Sequence, residues 1–308
     1  MKKIVSLILI MALCMGICMS FTGCEDKADF TVGVVQLMKH DALDAATKGF
    51  EDALKEEMKK AGKTVSIDVQ VAGEANLCAT VVNGFTSKKV DLIMGNATDA
   101  MLAAANATTE IPVLGTSITD YENAFNGKIP ENVSGMSDAV PFAEQAEMMI
   151  ETLNLVEGDK VGVLYCINES NSKVQYEAVK KLFEEKKISV TPYTFADVAE
   201  IQTVTNKMVG EVKAVYIPSD NTVSANEKTV AAVCNDKKVP IYTSYGGEIC
   251  YASLAIDYYK LGYETGMQAA KILLEGKKPA DLEIGTIEPA VTYNEELCKT
   301  LGIAVPEK

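Results

Sequence analysis

Thr31 to Gln36 reads TVGVVQ, and Lys160 to Tyr165 reads KVGVLY. A short run of β-branched residues with little polar alternation suits a strand covered on both faces, as in a parallel sheet. The echo recurs in the same order. Val90 to Gly95 (VDLIMG) pairs with Val212 to Ile217 (VKAVYI), and Glu110 to Gly115 (EIPVLG) with Lys238 to Thr243 (KVPIYT), so the three offsets are 129, 122 and 128 residues. Amphipathic helical stretches lie between these runs. Residues 41–61 place Leu43, Ala46, Phe50, Ala53, Leu54 and Met58 at helical spacing, with Gly62 as a stop. Residues 172–187 do the same with Val174, Ala178, Val179, Leu182 and Phe183. Strands alternating with helices form βαβ units with right-handed crossovers, so the expected fold class is α/β, two doubly wound parallel-sheet lobes related by a pseudo-repeat.

The chain outside the repeats joins the lobes. The expected crossings are Val133 to Asp138, Ser253 to Asp257, and a segment near Thr286 to Val291. A helix over 258–275 returns to the first lobe, and 294–301 finishes on the second. The predicted organisation is a signal at 1–23, a tether at 24–29, lobe 1 at 30–136 plus 257–286, and lobe 2 at 137–256 plus 287–308. Three crossings make a hinge. Because ligands of open α/β sheets bind outside the carboxyl ends of the strands, two such lobes define a cleft able to close on a small molecule.

The N-terminus speaks to location. Lys2 and Lys3 supply positive charge, Ile4 to Met19 is apolar apart from Ser6 and Gly16, and Phe21-Thr22-Gly23-Cys24 leads small residues up to a cysteine. This resembles a bacterial lipoprotein signal, which implies cleavage before Cys24, a lipid on its sulfur and an extracytoplasmic chain anchored to the membrane. An ordinary secretory signal or a short anchor helix are the alternatives, although the apolar run is shorter than the ~20 residues of a spanning helix. Removing 1–23 takes away two lysines and no acid, so the formal charge moves from -14 to -16. That field repels nucleic acid and anionic headgroups, leaving an acyl chain as the source of membrane attachment. Cys78, Cys166, Cys234, Cys250 and Cys298 form an odd set without CxxC spacing, and one histidine accompanies them. Neither a zinc site nor a disulfide framework is indicated, and no cofactor is expected. Buried small hydrophobes are the expected role.

Several motifs follow one another along the chain: Val35 to Asp44 (VQLMKHDALD), Asn96-Ala97-Thr98 before an alanine-rich helix, Ile111-Pro112-Val113, Gly135 to Asp138 (GMSD), Asn168 to Ser172 (NESNS), Pro218 to Thr222 (PSDNT) and Ile256 to Gly262 (IDYYKLG). In this order they resemble the substrate-binding lipoproteins of ABC transporters, in the branch linked to aromatic amino acid uptake. The resemblance implies a type I periplasmic-binding-protein fold, a monomer that captures a solute, and delivery to permease subunits. It also implies that Asn168, Ser170, Asn171, Asp220 and Asn221 line the second lobe's side of the site, and it makes Gln36 a candidate on the first. Two departures stand out: Asp41 where the family usually has Pro, and Tyr121-Glu122-Asn123 where a Pro-Val-Gly loop is common.

Composition narrows the binding chemistry independently. All 29 basic residues are lysines, so a bidentate arginine fork for an α-carboxylate is unavailable. Backbone N–H groups at a helix start and hydroxyls remain. Asn96 and Thr98 stand at a strand-helix junction, and Thr116-Ser117 follow the next strand; Thr98 could equally be a helix cap. An ammonium group needs a carboxylate. Asp138 and Asp220, each preceded by serine, and Asp257 could all face the cleft, although Asp220 and Asp257 also read as caps. Tyr165, Tyr242, Tyr245 and Tyr251 could stack a ring or pack in the core. Catalysis would have to use His40, the sole imidazole, for which a capping or cleft-wall role is expected. No Gly-x-Ser-x-Gly, P-loop, HExxH or GxGxxG occurs. A sensing partner for a signalling receptor, and an importer of nucleosides or sugars, share the architecture and stay open.

Overall fold

The computed structural model describes residues 28–306. The lipidation candidate Cys24 and the signal before it lie outside this range. The first half alternates β1 (Phe30–Gln36), α1 (Asp41–Lys60), β2 (Val65–Val71), α2 (Ala75–Lys88), β3 (Leu92–Asn96), α3 (Thr98–Ala107), β4 (Val113–Ile118), α4 (Tyr121–Ala124) and β5 (Val133–Ser137). The second repeats the pattern with α5 (Phe142–Leu153), β6 (Lys160–Cys166), α6 (Ser170–Glu185), β7 (Ser189–Phe195), α7 (Ile201–Val209), β8 (Ala214–Ile217), α8 (Asn221–Ala225), α9 (Glu227–Lys237), β9 (Ile241–Thr243) and β10 (Ala252–Ala255). The chain then adds α10 (Tyr258–Glu275), β11 (Gly285–Thr286), β12 (Ala290–Tyr293) and α11 (Glu295–Leu301).

Two six-stranded sheets result, in the orders β11-β5-β4-β3-β1-β2 and β12-β10-β9-β8-β6-β7. All pairings are parallel except that of β10 with β12. The pseudo-repeat thus becomes the same winding executed twice. Central strands β3, β4, β5 and β8 are buried along their whole length, as strands sandwiched between helix layers must be. Edge strand β2 alternates instead and leaves Val69 and Val71 exposed. All five cysteines of the described chain are free and buried.

Helix α10 leaves the second sheet's last parallel strand and packs along α1 on the first lobe. The two backbones approach closely because Gly262 faces Ala46 and Gly49 faces Tyr259. A Cβ on Gly262 would collide with the Ala46 carbonyl. This seam fixes the N-terminal turn of α10, and with it Tyr258, at the junction of the lobes. Among the described residues no helix is long and apolar enough to cross a membrane.

Candidate functional site

The carboxyl ends of the two sheets face each other across a narrow cavity of about 20 Å³. That is room for about one water, far below the ~300 Å³ of small-molecule pockets, so the lobes are nearly shut on each other here. His40, Ala42, Leu43 and Ser117 line it from the first lobe. Asn171, Ser219, Asp220, Asn221, Ser224 and Tyr245 line it from the second, and Asp138 and Tyr258 close it at the junction. It opens toward a wider vestibule edged by Lys39, Asp41, Asp44 and Glu227.

Asp138 is the carboxylate with capacity to spare. It follows β5 directly, and its N–H donates to the Ile118 carbonyl, which turns the side chain into the junction. Oδ2 accepts from the Tyr258 hydroxyl at 3.1 Å, whereas Oδ1 is buried without a partner. Burial pushes the carboxyl above its ordinary range, partly offset by the Thr119 hydroxyl, which lies near it without making a full hydrogen bond, and by the bonded Tyr258 hydroxyl. Gln175 holds Thr119 from the opposite lobe by Nε2 to Oγ1 at 3.2 Å. A second buried polar atom without a partner, the Tyr245 hydroxyl, lines the same cavity from the second lobe. Buried polar groups are nearly always bonded, so two orphans around one cavity point to a polar ligand.

Asp220 also borders the cavity but is fully occupied. Its Oδ1 caps α8 by accepting from Val223 N, and its Oδ2 accepts from Cys166 N and Ser172 Oγ, each at 2.8 Å. Burial first, then the neighbouring Glu169, holds its carboxyl well above the usual range. Glu169 was missed in the sequence although it sits inside the NESNS motif. It is buried, and it accepts from the backbone and side chain of Asn221 and from those of Thr222 at 2.7 to 2.8 Å. Asn171 donates to the Ser219 carbonyl at 2.7 Å. Together these bonds stiffen the loops of the second lobe that face the cavity.

Asp257, expected as a cleft carboxylate, is exposed outside the cavity and caps α10 by accepting from Lys260 N at 3.0 Å. The local i to i+3 geometry of a cap absorbed it. Gln36 and Asn96 form a layer beneath the cavity. Gln36 donates to Met38 O and Asp44 and accepts from Thr47, while Asn96 donates to Leu43 O and Thr47 and accepts from Ser117 Oγ. They pin the first turn of α1 to the strand ends and so position Ser117. Thr116 turns away to accept from Thr265. Thr98 is buried outside the cavity as the first residue of α3, and Ala97 occupies the cap position with φ 87°. Asn168 and Ser170 are exposed. Ala97 and Ser117, the latter at φ 59°, are non-glycine residues in the left-handed half of backbone space at adjacent strand ends. Such strain, ~1 to 3 kcal/mol per residue, concentrates at ligand sites.

Of the candidate tyrosines only Tyr245 reaches the cavity. Tyr165 stacks on Tyr176, while Tyr242 stacks on Tyr216 and meets Tyr251 edge-on, all within the second lobe. Tyr258 and His40 are the further cavity aromatics. The sequence placed His40 at a cap or on the cleft wall; it occupies the N-cap position of α1 without a side-chain capping bond. Its Nε2 lies 3.3 Å from Asn221 Oδ1 on the other lobe.

A sequence model described as ABC transporter substrate binding protein matches residues 31–308. The tyrosine-binding protein of Clostridioides difficile strain R20291 is 33% identical over 326 residues, spanning 98% of this chain and 93% of that protein. A solved structure from Streptococcus pneumonia, described as an ABC domain in complex with L-Trp, is 31% identical with a TM-score of 0.82, covering 89% of this chain and 96% of that one. The ligand-free, open structure of a substrate-binding protein with adhesive properties from Clostridium difficile is 32% identical with a TM-score of 0.67, covering 90% and 96%.

Proposed function

The chain belongs to the family of ABC transporter substrate-binding proteins, and from that premise we propose that it captures a free aromatic α-amino acid between its lobes and hands it to a permease. The observation that carries this reading is the buried, unpartnered Oδ1 of Asp138 in the cavity between the lobes, beside a vestibule of about 660 Å³. An ammonium group there completes the carboxylate's hydrogen bonding and compensates its charge, which an uncharged solute cannot do. The hydroxyls of Ser224 and Tyr245, on the opposite wall, serve the carboxylate or the ring in place of the missing arginine. The binding proteins for tyrosine and for L-Trp among the relatives support the aromatic part. At nearly equal identity the lobes superpose better on the L-Trp complex than on the open structure, which supports reading the present arrangement as closed. Structures with bound 5-methylthioribose or myo-inositol are only 14% and 16% identical and speak for the fold alone.

The same reading makes the protein a monomeric carrier without catalytic chemistry, tethered outside the cytoplasm through a lipid on Cys24. Titration calorimetry with L-tyrosine, L-tryptophan, L-phenylalanine and myo-inositol tests the ligand class. Saturable binding of an aromatic amino acid is expected, and binding of the inositol in preference to all three amino acids would overturn it.

A further inference from the structure

Closing two lobes requires bonds that exist only when they meet, and one such bond here has a defined direction. Asn221 Nδ2 donates to Glu169 Oε2 at 2.8 Å, which commits the amide orientation and leaves Asn221 Oδ1 facing His40. His40 must therefore donate through Nε2–H at 3.3 Å, a bond from the first turn of α1 in one lobe to the start of α8 in the other. We propose that His40 is a positioning residue for ligand capture: a latch whose bond to Asn221 holds the lobes closed, and whose burial on closing makes a proton on the ring favour the open form. This rests on the reading of the lobes as a capturing pair.

The surroundings set the sign. Asp41 and Asp44 from its own helix and Glu169 from the loop before α6 all favour the imidazolium, and Lys39 is its chain neighbour. Glu227, at the start of α9, lines the same vestibule, where burial first and then the like charge of Asp41 raise its carboxyl. Asp138 and Asp220 line the same cavity as His40. The bond to Asn221 favours the imidazolium too, and against it and the three carboxylates stands the burial of the ring between the lobes, which is the largest influence and lowers the imidazole below its ordinary value. Opening returns the ring to water. A group whose pKa falls on closing favours the closed form at pH above its open-state value, and that contribution is lost as pH falls. A proton on His40 thus promotes opening.

The test uses paired fluorophores on exposed positions of the two lobes to read the closed-to-open ratio, in the chain alone and with saturating L-tyrosine or L-tryptophan, between about pH 7.5 and 5.5. Wild type should open as pH falls. His40→Ala and Asn221→Ala should each lower the ratio about fivefold at the upper pH, one neutral hydrogen bond, with no further loss in the double variant. His40→Gln keeps a donor but cannot titrate, so it should stay closed and respond less to pH. If wild type, His40→Ala and His40→Gln show the same ratio at every pH, with and without amino acid, the latch is refuted. If neither amino acid shifts the wild-type ratio, the ligand assignment fails, while the comparison of variants in the chain alone still decides the latch.

Discussion

Replacing Asp138 by asparagine keeps the shape of the side chain and an acceptor for the Tyr258 hydroxyl, and removes only the charge. In the ligand complex the new amide N–H₂ would then stand opposite an ammonium, donor against donor. Leaving a buried charge of the ligand without its partner costs about 2 to 5 kcal/mol. At ~1.4 kcal/mol per decade this is a loss of affinity between about thirtyfold and about three thousandfold. Titration calorimetry with L-tyrosine and L-tryptophan reads it directly. The pH dependence has a definite sign: burial raises the Asp138 carboxyl, and the ammonium pairs with its ionised form. Affinity should therefore weaken as pH falls through the raised pKa, and binding there should release a proton, seen as a heat that varies with the buffer's ionisation enthalpy. For folding the same shift acts oppositely. The protonated form is favoured in the folded chain, so this contribution to ligand-free stability is full below the ordinary carboxyl value and lost as pH rises through the raised one. Unchanged affinity of Asp138→Asn for both amino acids would refute the assignment of the ammonium site.

Asp257→Ala should lower the unfolding free energy by about 1 kcal/mol in urea titration, the value of one helix cap, and leave ligand affinity unchanged. Gly262→Ala forces a methyl against the Ala46 carbonyl at the α1–α10 seam, and a loss of about 1 to 3 kcal/mol is expected in the same assay. Cys24→Ala should abolish metabolic fatty-acid labelling and release the protein from the membrane fraction; retained label would argue against lipidation at this cysteine.

Much of the architecture was legible in the residues. TVGVVQ and KVGVLY are apolar and β-branched because both faces of a central parallel strand are covered, and that demand is local enough to read directly. The spacing of Leu43, Phe50, Leu54 and Met58 announced α1 for the same reason: one face of the helix meets a sheet. The carboxylates behaved differently. Ser137-Asp138 and Ser219-Asp220 look alike in sequence, and Asp220 and Asp257 carry cap signatures three residues ahead of their partners, which they honour. No local pattern distinguishes Asp138. Its free oxygen exists because Ile118 takes its N–H, Tyr258 takes the other oxygen, and the glycine seam between α1 and α10 carries Tyr258 to that spot. Those contacts join residues far apart in the chain, 120 positions for Tyr258 with Asp138 and more for Ala46 with Gly262 at the seam, as does the meeting of His40 with Asn221 across 181. Chain periodicity determined which segments are strands and helices, since burial of one or two faces repeats within a few residues. Only the tertiary packing decided which of several similar side chains was left without a partner inside the cleft.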